Sequence, residues 1–215
     1  MIDWIVFFTV FGLLFLGELG DKTQLIVFNL SLEHEKSYKV AIGAMLGFAV
    51  IVSLGVFLGA IITTYVPISL IQVISGVVFI LIGVFEMRDL KEVYRQRKRE
   101  GEEGVKEEKE VKQENLNQPV SKLANLRNNP YAAGFGFIFV MELGDKSQIL
   151  TITLASIYPS PLEVWLASFL ALSSLALMGA YFGEFISRKI PKLHLKVLSI
   201  AIFVIIGIIV IVTSV

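Results

Sequence analysis

The chain has no cysteine, which excludes disulfides and thiolate-bound metal. Histidine is almost as scarce. His34 and His194 are the two present, both in or beside loops, so a soft zinc or copper site at membrane depth is not expected. The first apolar run has no basic stretch ahead of it and carries charged residues. It therefore reads as a spanning helix and not as a cleaved signal. The stretch RQRKREGEEGVKEEKEVKQEN nearly lacks large apolar residues. It cannot bury enough surface to fold alone and reads as a solvated linker, helical near Met87.

What remains is strongly apolar: 55% of the 215 residues are hydrophobic and the mean hydropathy is +0.73. The apolar residues form runs long enough to cross a hydrocarbon core of about 30 Å, which takes roughly 20 helical residues. Six such segments can be drawn: Trp4–Leu32, Val40–Val66, Ile68–Met87, Tyr131–Ile157, Leu162–Ile186 and Leu193–Thr213. Pro67, Pro159, Pro161 and Pro191 punctuate the connections, where a helix cannot continue. Of 19 Lys and Arg, only Lys22 and Lys146 lie deep inside spans, and the others fall on loops of one side or, for Lys196, at the span end that adjoins one. The positive-inside rule then places both termini outside.

A shift of 124 residues aligns the two halves without a gap. FGLLFLGELGDKTQ (Phe11–Gln24) falls on FGFIFVMELGDKSQ (Phe135–Gln148), and Gly55, Gly59, Pro67, Phe79 and Gly83 fall on Gly179, Gly183, Pro191, Phe203 and Gly207. Each half has an odd number of spans, so the second must enter the membrane from the opposite side. The expected fold is an all-α polytopic membrane protein, with six transmembrane helices as two inverted three-helix repeats. Residues 1–87 form the first repeat, 88–130 a charged cytoplasmic linker and 131–215 the second repeat. Inverted repeats place a transporter's site near the midplane between them.

The repeated motif supplies such a site. Glu18 is the fifteenth residue of its segment and Glu142 the twelfth, so both lie deep in the bilayer. A charge there costs at least about 2.5 kcal/mol and must face a partner or a wet cavity. On a continuous helix Glu18, Asp21 and Gln24 form one oxygen-rich stripe at i, i+3, i+6, and Glu142, Asp145 and Gln148 repeat it. Together they offer six hard oxygen ligands, suited to Ca²⁺, Mn²⁺ or Mg²⁺. Thr23 and Ser147 add hydroxyls if the backbone loosens, and Gly20 and Gly144 permit close helix approach or a bend. Lys22 and Lys146 stand four residues after their glutamates, where an ion pair forms. Four carboxylates and two ammonium groups leave a deficit of two charges, matching one divalent cation or two protons. Mutually exclusive occupancy by metal and protons follows as a hypothesis.

At these residues the chain resembles the Gdt-type cation/proton exchanger family, identified by two E-x-G-D-[KR]-[ST] motifs in two inverted three-helix halves. Both stand in full, as Glu18-Leu-Gly-Asp-Lys-Thr23 and Glu142-Leu-Gly-Asp-Lys-Ser147. The resemblance implies exchange of Mn²⁺ or Ca²⁺ for protons, with Glu18, Asp21, Glu142 and Asp145 as the cation and proton site. It implies no resident cofactor, the ion being cargo. The short length and lack of a targeting extension resemble a prokaryotic plasma-membrane member that exports surplus cation. The partners are the cation, the proton and the lipid bilayer. Nucleic acid is not expected, and the working unit is open between a monomer and a homodimer.

The main alternative is an exporter of an amino acid or other small organic cation, which an acidic midplane ring would also attract. An intramembrane enzyme would need a nucleophile or a His-rich metal site at depth, so the chain is not expected to be an enzyme. Secondary positions have two readings each. Glu86 and Glu184, near cytoplasmic span ends, are relays or simply solvated. Met141, where the first half has Gly17, favours Mn²⁺ or fills a gap. Ser173 and Ser174 line a pathway or bond between helices. The Gly43, Gly47, Gly55, Gly59 ladder packs helices, and Trp4 and Trp165 anchor an interface.

Overall fold

A computed structural model describes residues 3–34, 36–100, 129–189 and 192–214, with the side chains of Lys22, 88–100, 183–189, 192–196 and Ser214 excepted. Eight helices make up the described residues: α1 Trp4–Glu18, α2 Lys22–Glu33, α3 Ser37–Tyr65, α4 Ile68–Glu100, α5 Pro130–Glu142, α6 Lys146–Ile157, α7 Pro161–Lys189 and α8 Lys192–Ser214. No strand occurs among them. The acidic part of the linker, residues 101–128, lies outside the described residues, as do Pro191 and the side chains of Glu184 and His194.

The first and fourth apolar segments are each two helices, not one. Both break at the same three residues of the motif, Leu19–Asp21 and Leu143–Asp145. The axes of α1 and α2 diverge by 71°. The cause is local. Leu19 has φ −65°, ψ 121° and Leu143 has φ −66°, ψ 111°, and the glycine after each has φ +82°. The Asp21 amide donates to the Glu18 carbonyl at 3.1 Å, and the Asp145 amide to the Glu142 carbonyl at the same distance. That is a type II β-turn, whose third residue needs positive φ and therefore glycine. A Cβ on Gly144 would meet nothing within 4 Å. Its glycine thus answers to the turn, not to close approach.

Helix α1 starts on an Asp3 cap, whose carboxylate accepts from the Ile5 and Val6 amides at 3.0 and 3.2 Å. Helix α5 starts on Asn129, accepting from the Tyr131 amide, with Pro130 at the first helical position as its fixed φ favours. Among the described residues three helices are long and apolar enough to cross a membrane: Ser37–Tyr65, and the stretches Ile68–Met87 and Pro161–Phe182 of α4 and α7. The bent α1–α2 pair passes the same test as a unit, and Val197–Thr213 of α8 is a shorter apolar stretch. The outward faces of α3 and α4 are apolar, with Leu46, Leu54, Phe57, Ile74, Leu81 and Phe85 exposed. Water would not tolerate a surface of that extent, whereas lipid does. The chain is a multi-pass membrane protein.

The halves pack by exchanging partners. Helix α3 lies against α5 and α6, α7 lies against α1 and α2, and α4 packs on α8. The glycine ladder of α3 is the surface that admits this. Gly43 meets the Tyr131 backbone, Gly47 meets Ile138, Gly55 meets Thr151 and Gly59 meets Ala155. Gly179 on α7 does the same for α2, where a Cβ would lie 2.9 Å from the Gln24 carbonyl oxygen. Phe79 and Phe203, matched by the 124-residue shift, are fully buried and stack on each other with centroids 6.4 Å apart.

Candidate functional site

The two helix breaks bring the motif residues together at the centre of the bundle. Glu18 ends α1 and Glu142 ends α5, and both are buried, at 5% and 2% exposure. They line one cavity of about 10 Å³ with Thr23, Gln24, Val27, Phe48, Leu172, Leu175 and Ala176. That is room for about one water-sized particle. The Thr23 hydroxyl donates to Glu142 Oε1 at 2.7 Å, and the Ser147 hydroxyl donates to Glu142 Oε2. Glu18 Oε1 and Gln24 Oε1, also buried, have no hydrogen-bond partner.

Breaking a helix frees backbone carbonyls, which must find donors. Side chains of the motif supply two of them. Lys146 Nζ donates to the Gly17 carbonyl at 3.0 Å and Gln24 Nε2 to the Glu18 carbonyl at 3.2 Å. Ser199 of α8 donates to the Leu16 carbonyl at 2.9 Å. In the second break, Gln148 Oε1 accepts from the Gly144 amide at 2.6 Å, and Asp145 caps α6 by accepting from the Lys146 amide at 2.8 Å.

The i, i+3, i+6 stripe expected on a continuous helix does not exist, because the turn separates each glutamate from the rest of its motif. Among the described residues no three Asp, Glu or His side chains are grouped so as to hold a metal ion by themselves. Glu18, Gln24 and Glu142 share the cavity. Asp21 lies by Lys146, 3.4 Å from its Nζ, while Asp145 and Gln148 serve the second turn. The broken backbone does what the sequence allowed for Thr23 and Ser147, turning both hydroxyls onto one carboxylate.

Lys146 departs from its expected local pairing with Glu142. Its ammonium reaches across to the first half, 3.8 Å from Glu18 Oε2, 3.4 Å from Asp21 Oδ2 and 2.6 Å from Glu86 Oε1. Glu86 is accordingly not solvated. It is 7% exposed, although it stands at the end of the apolar stretch Ile68–Met87, with α4 running on to Glu100. The sequence signal was an acid inside an apolar run whose repeat counterpart is Val210. The Lys22 side chain lies outside the described residues.

The packing places the remaining candidates. Met141 is partly buried against the hydrophobic core, and Gly17 lies against the Phe203 ring, which leaves no room for a side chain there. Ser173 is buried with no partner for its hydroxyl, while Ser174 bonds its own helix at Leu170. Trp165 donates its indole N–H to Ser53 at 2.9 Å, tying α7 to α3. Trp4 is exposed and stacks with Phe8 at the start of α1.

The chain is similar in sequence to several known proteins. The chain is 29% identical over 199 residues to the chloroplastic PAM71-homolog protein of Arabidopsis thaliana, a match covering 86% of this chain and 54% of that protein. The chain thus spans only about half of that relative's length. It is 26% identical over 220 residues to a GDT1-like protein of Schizosaccharomyces pombe, covering 89% of this chain and 83% of the relative. A second GDT1-like protein of the same yeast is 24% identical over 216 residues, covering 85% and 73%. No solved structure matches. Residues 6–93 and 130–215, which hold both motifs and both breaks, match the family described as divalent cation/proton antiporter GDT1, and the chain belongs to that family.

Proposed function

We propose that this chain exchanges a divalent cation, Mn²⁺ or Ca²⁺, for protons at the cavity between Glu18 and Glu142. One observation carries the reading: two acceptor oxygens, Glu18 Oε1 and Gln24 Oε1, are buried without donors in the cavity that Glu142 also lines. An orphaned buried acceptor is costly, and a hard cation or a proton satisfies it. In this reading Glu18, Gln24, Glu142 and the Thr23 hydroxyl hold the ion first. Asp21, Asp145 and Gln148 complete an all-oxygen shell, which suits Mn²⁺ or Ca²⁺. Ser147, Lys22 and Lys146 support it. Protons and the cation compete because each neutralises the same carboxylates.

The partner exchange of α3 and α7 and the stacking of Phe79 on Phe203 support six spans arranged as inverted repeats. The charge asymmetry of the loops supports both termini outside. In a plasma membrane with that orientation, inward proton flow would drive cation export. The cavity leaves little room for an amino acid, which weighs against the organic-cation reading.

The test is flux in liposomes holding a pH dye and a divalent-sensitive dye. Mn²⁺ and Ca²⁺ are added in turn to wild type, Glu18→Gln and Glu142→Gln. Exchange requires cation entry with matching proton efflux, lost in both variants. Cation entry without proton movement leaves a uniporter or channel. No flux of either ion, in folded protein, returns the organic-cation exporter.

A further inference from the structure

Four oxygens of the first half stand around the Lys146 ammonium, and they are not equally close. Glu86 Oε1 at 2.6 Å and the Gly17 carbonyl at 3.0 Å hold it tightly, whereas Asp21 Oδ2 at 3.4 Å and Glu18 Oε2 at 3.8 Å are looser. The tight carboxylate is outside the motif and the loose ones are in it. Glu86 Oε2 is buried with no hydrogen-bond partner, so this carboxylate has capacity to spare. The repeat gives it no twin, since the matching position holds Val210.

We propose that Lys146 is a tethered cation which neutralises Glu18 and Asp21 when the transported ion is absent, and that Glu86 is the positioning residue that takes over its ammonium when the ion arrives. The proposal rests on the transport reading above. A divalent ion on Glu18 and Glu142 repels an ammonium a few ångströms away. An ammonium expelled at that depth needs a counter-charge. The lysine stem is long and flexible, and Glu86 already holds its nearest contact, so the handover is a short swing away from the motif. The device is one-sided, because no second-half acid stands where Glu86 stands. Without Glu86 the ammonium falls back on Glu18 and Asp21 and competes with the ion.

The test is KM for Mn²⁺ uptake by the full-length chain in liposomes, measured for wild type, Glu86→Gln, Lys146→Gln and the double variant. Glu86→Gln raises KM roughly tenfold with a smaller change in kcat. In the Lys146→Gln background the same substitution shifts KM less than about twofold, because Glu86 acts through the lysine. An equal KM rise in both backgrounds, or none in either, overturns the proposal. Should Glu86→Gln fail to fold, Glu86→Asp carries the test: its withdrawn carboxylate raises KM by a smaller factor, and an unchanged KM overturns the proposal. Wild type without Mn²⁺ flux removes the transport reading as well, whereas flux with an unmoved KM removes the tethered cation alone.

Discussion

Thr23 of the first half donates its hydroxyl to Glu142 of the second, 2.7 Å away in the middle of the bundle. Its repeat counterpart, Ser147, does not return the favour to Glu18 but bonds the same Glu142. One motif carboxylate thus holds two hydroxyls, while the other has an oxygen with none and faces Lys146 instead. Two nearly identical motifs have adopted unequal roles.

Removing the Thr23 hydroxyl tests that link. Thr23→Val keeps the side chain's shape but leaves Glu142 Oε1 short of a donor, at a cost of about 1.5–3 kcal/mol for a bond to a charged group. The expected outcome is a lower thermal midpoint in detergent and slower cation flux, with both recovered in Thr23→Ser.

The turn glycines answer to a different requirement. Gly144→Ala meets no neighbour within 4 Å, so any loss comes from forcing an L-residue to φ +82°. That costs about 1–2 kcal/mol. Gly144→Asn should lose less, since asparagine tolerates this region. Thermal unfolding of the two variants side by side gives the comparison.

Gly179 and Gly12 form an opposed pair. Alanine at Gly179 presses on the Gln24 backbone beside the site, an overpacking that costs about 1–3 kcal/mol, and cation flux should fall with stability. Alanine at Gly12, in α1, meets nothing within 4 Å, and helix propensity favours it by about 0.5–1 kcal/mol. Gly12→Ala should keep full flux and unfold no earlier than wild type.

Lys146→Met deprives the buried Glu86 and Glu18 carboxylates of an ammonium that is itself partly exposed. Breaking a fully buried pair from one side costs about 3–5 kcal/mol, and the partial exposure lowers that figure here. The variant should unfold well below wild type at neutral pH, and Lys146→Arg, which keeps the charge, should unfold closer to it.

Much of this arrangement was legible in the sequence, and the failures have physical causes. Apolar runs and the 124-residue shift located the helices and the motif, because hydrocarbon demands long runs and duplication preserves register. Hydropathy could not see the helix breaks. Three residues, Leu19–Asp21, barely alter a 29-residue apolar segment, although the glycine inside the motif was the clue to a bend. The stripe of Glu18, Asp21 and Gln24 failed with the continuous helix it assumed. Glu86 was placed at the end of its apolar run, where it stands, but the solvated reading of it failed, because hydropathy does not show that Lys146 waits there. Its contact with Lys146 joins residues 60 apart, which only the packing of α4 against α6 brings together.

The central claim is that cation and protons compete for the Glu18–Glu142 cavity, and proton release on binding tests it most directly. Mn²⁺ would be titrated calorimetrically into the purified chain in two buffers of different ionisation enthalpy. Wild type should release protons as the cation binds, with weaker binding at lower pH, and Glu142→Gln should bind more weakly and release fewer. Tight Mn²⁺ binding with the same heat in both buffers, indifferent to pH, would contradict the account.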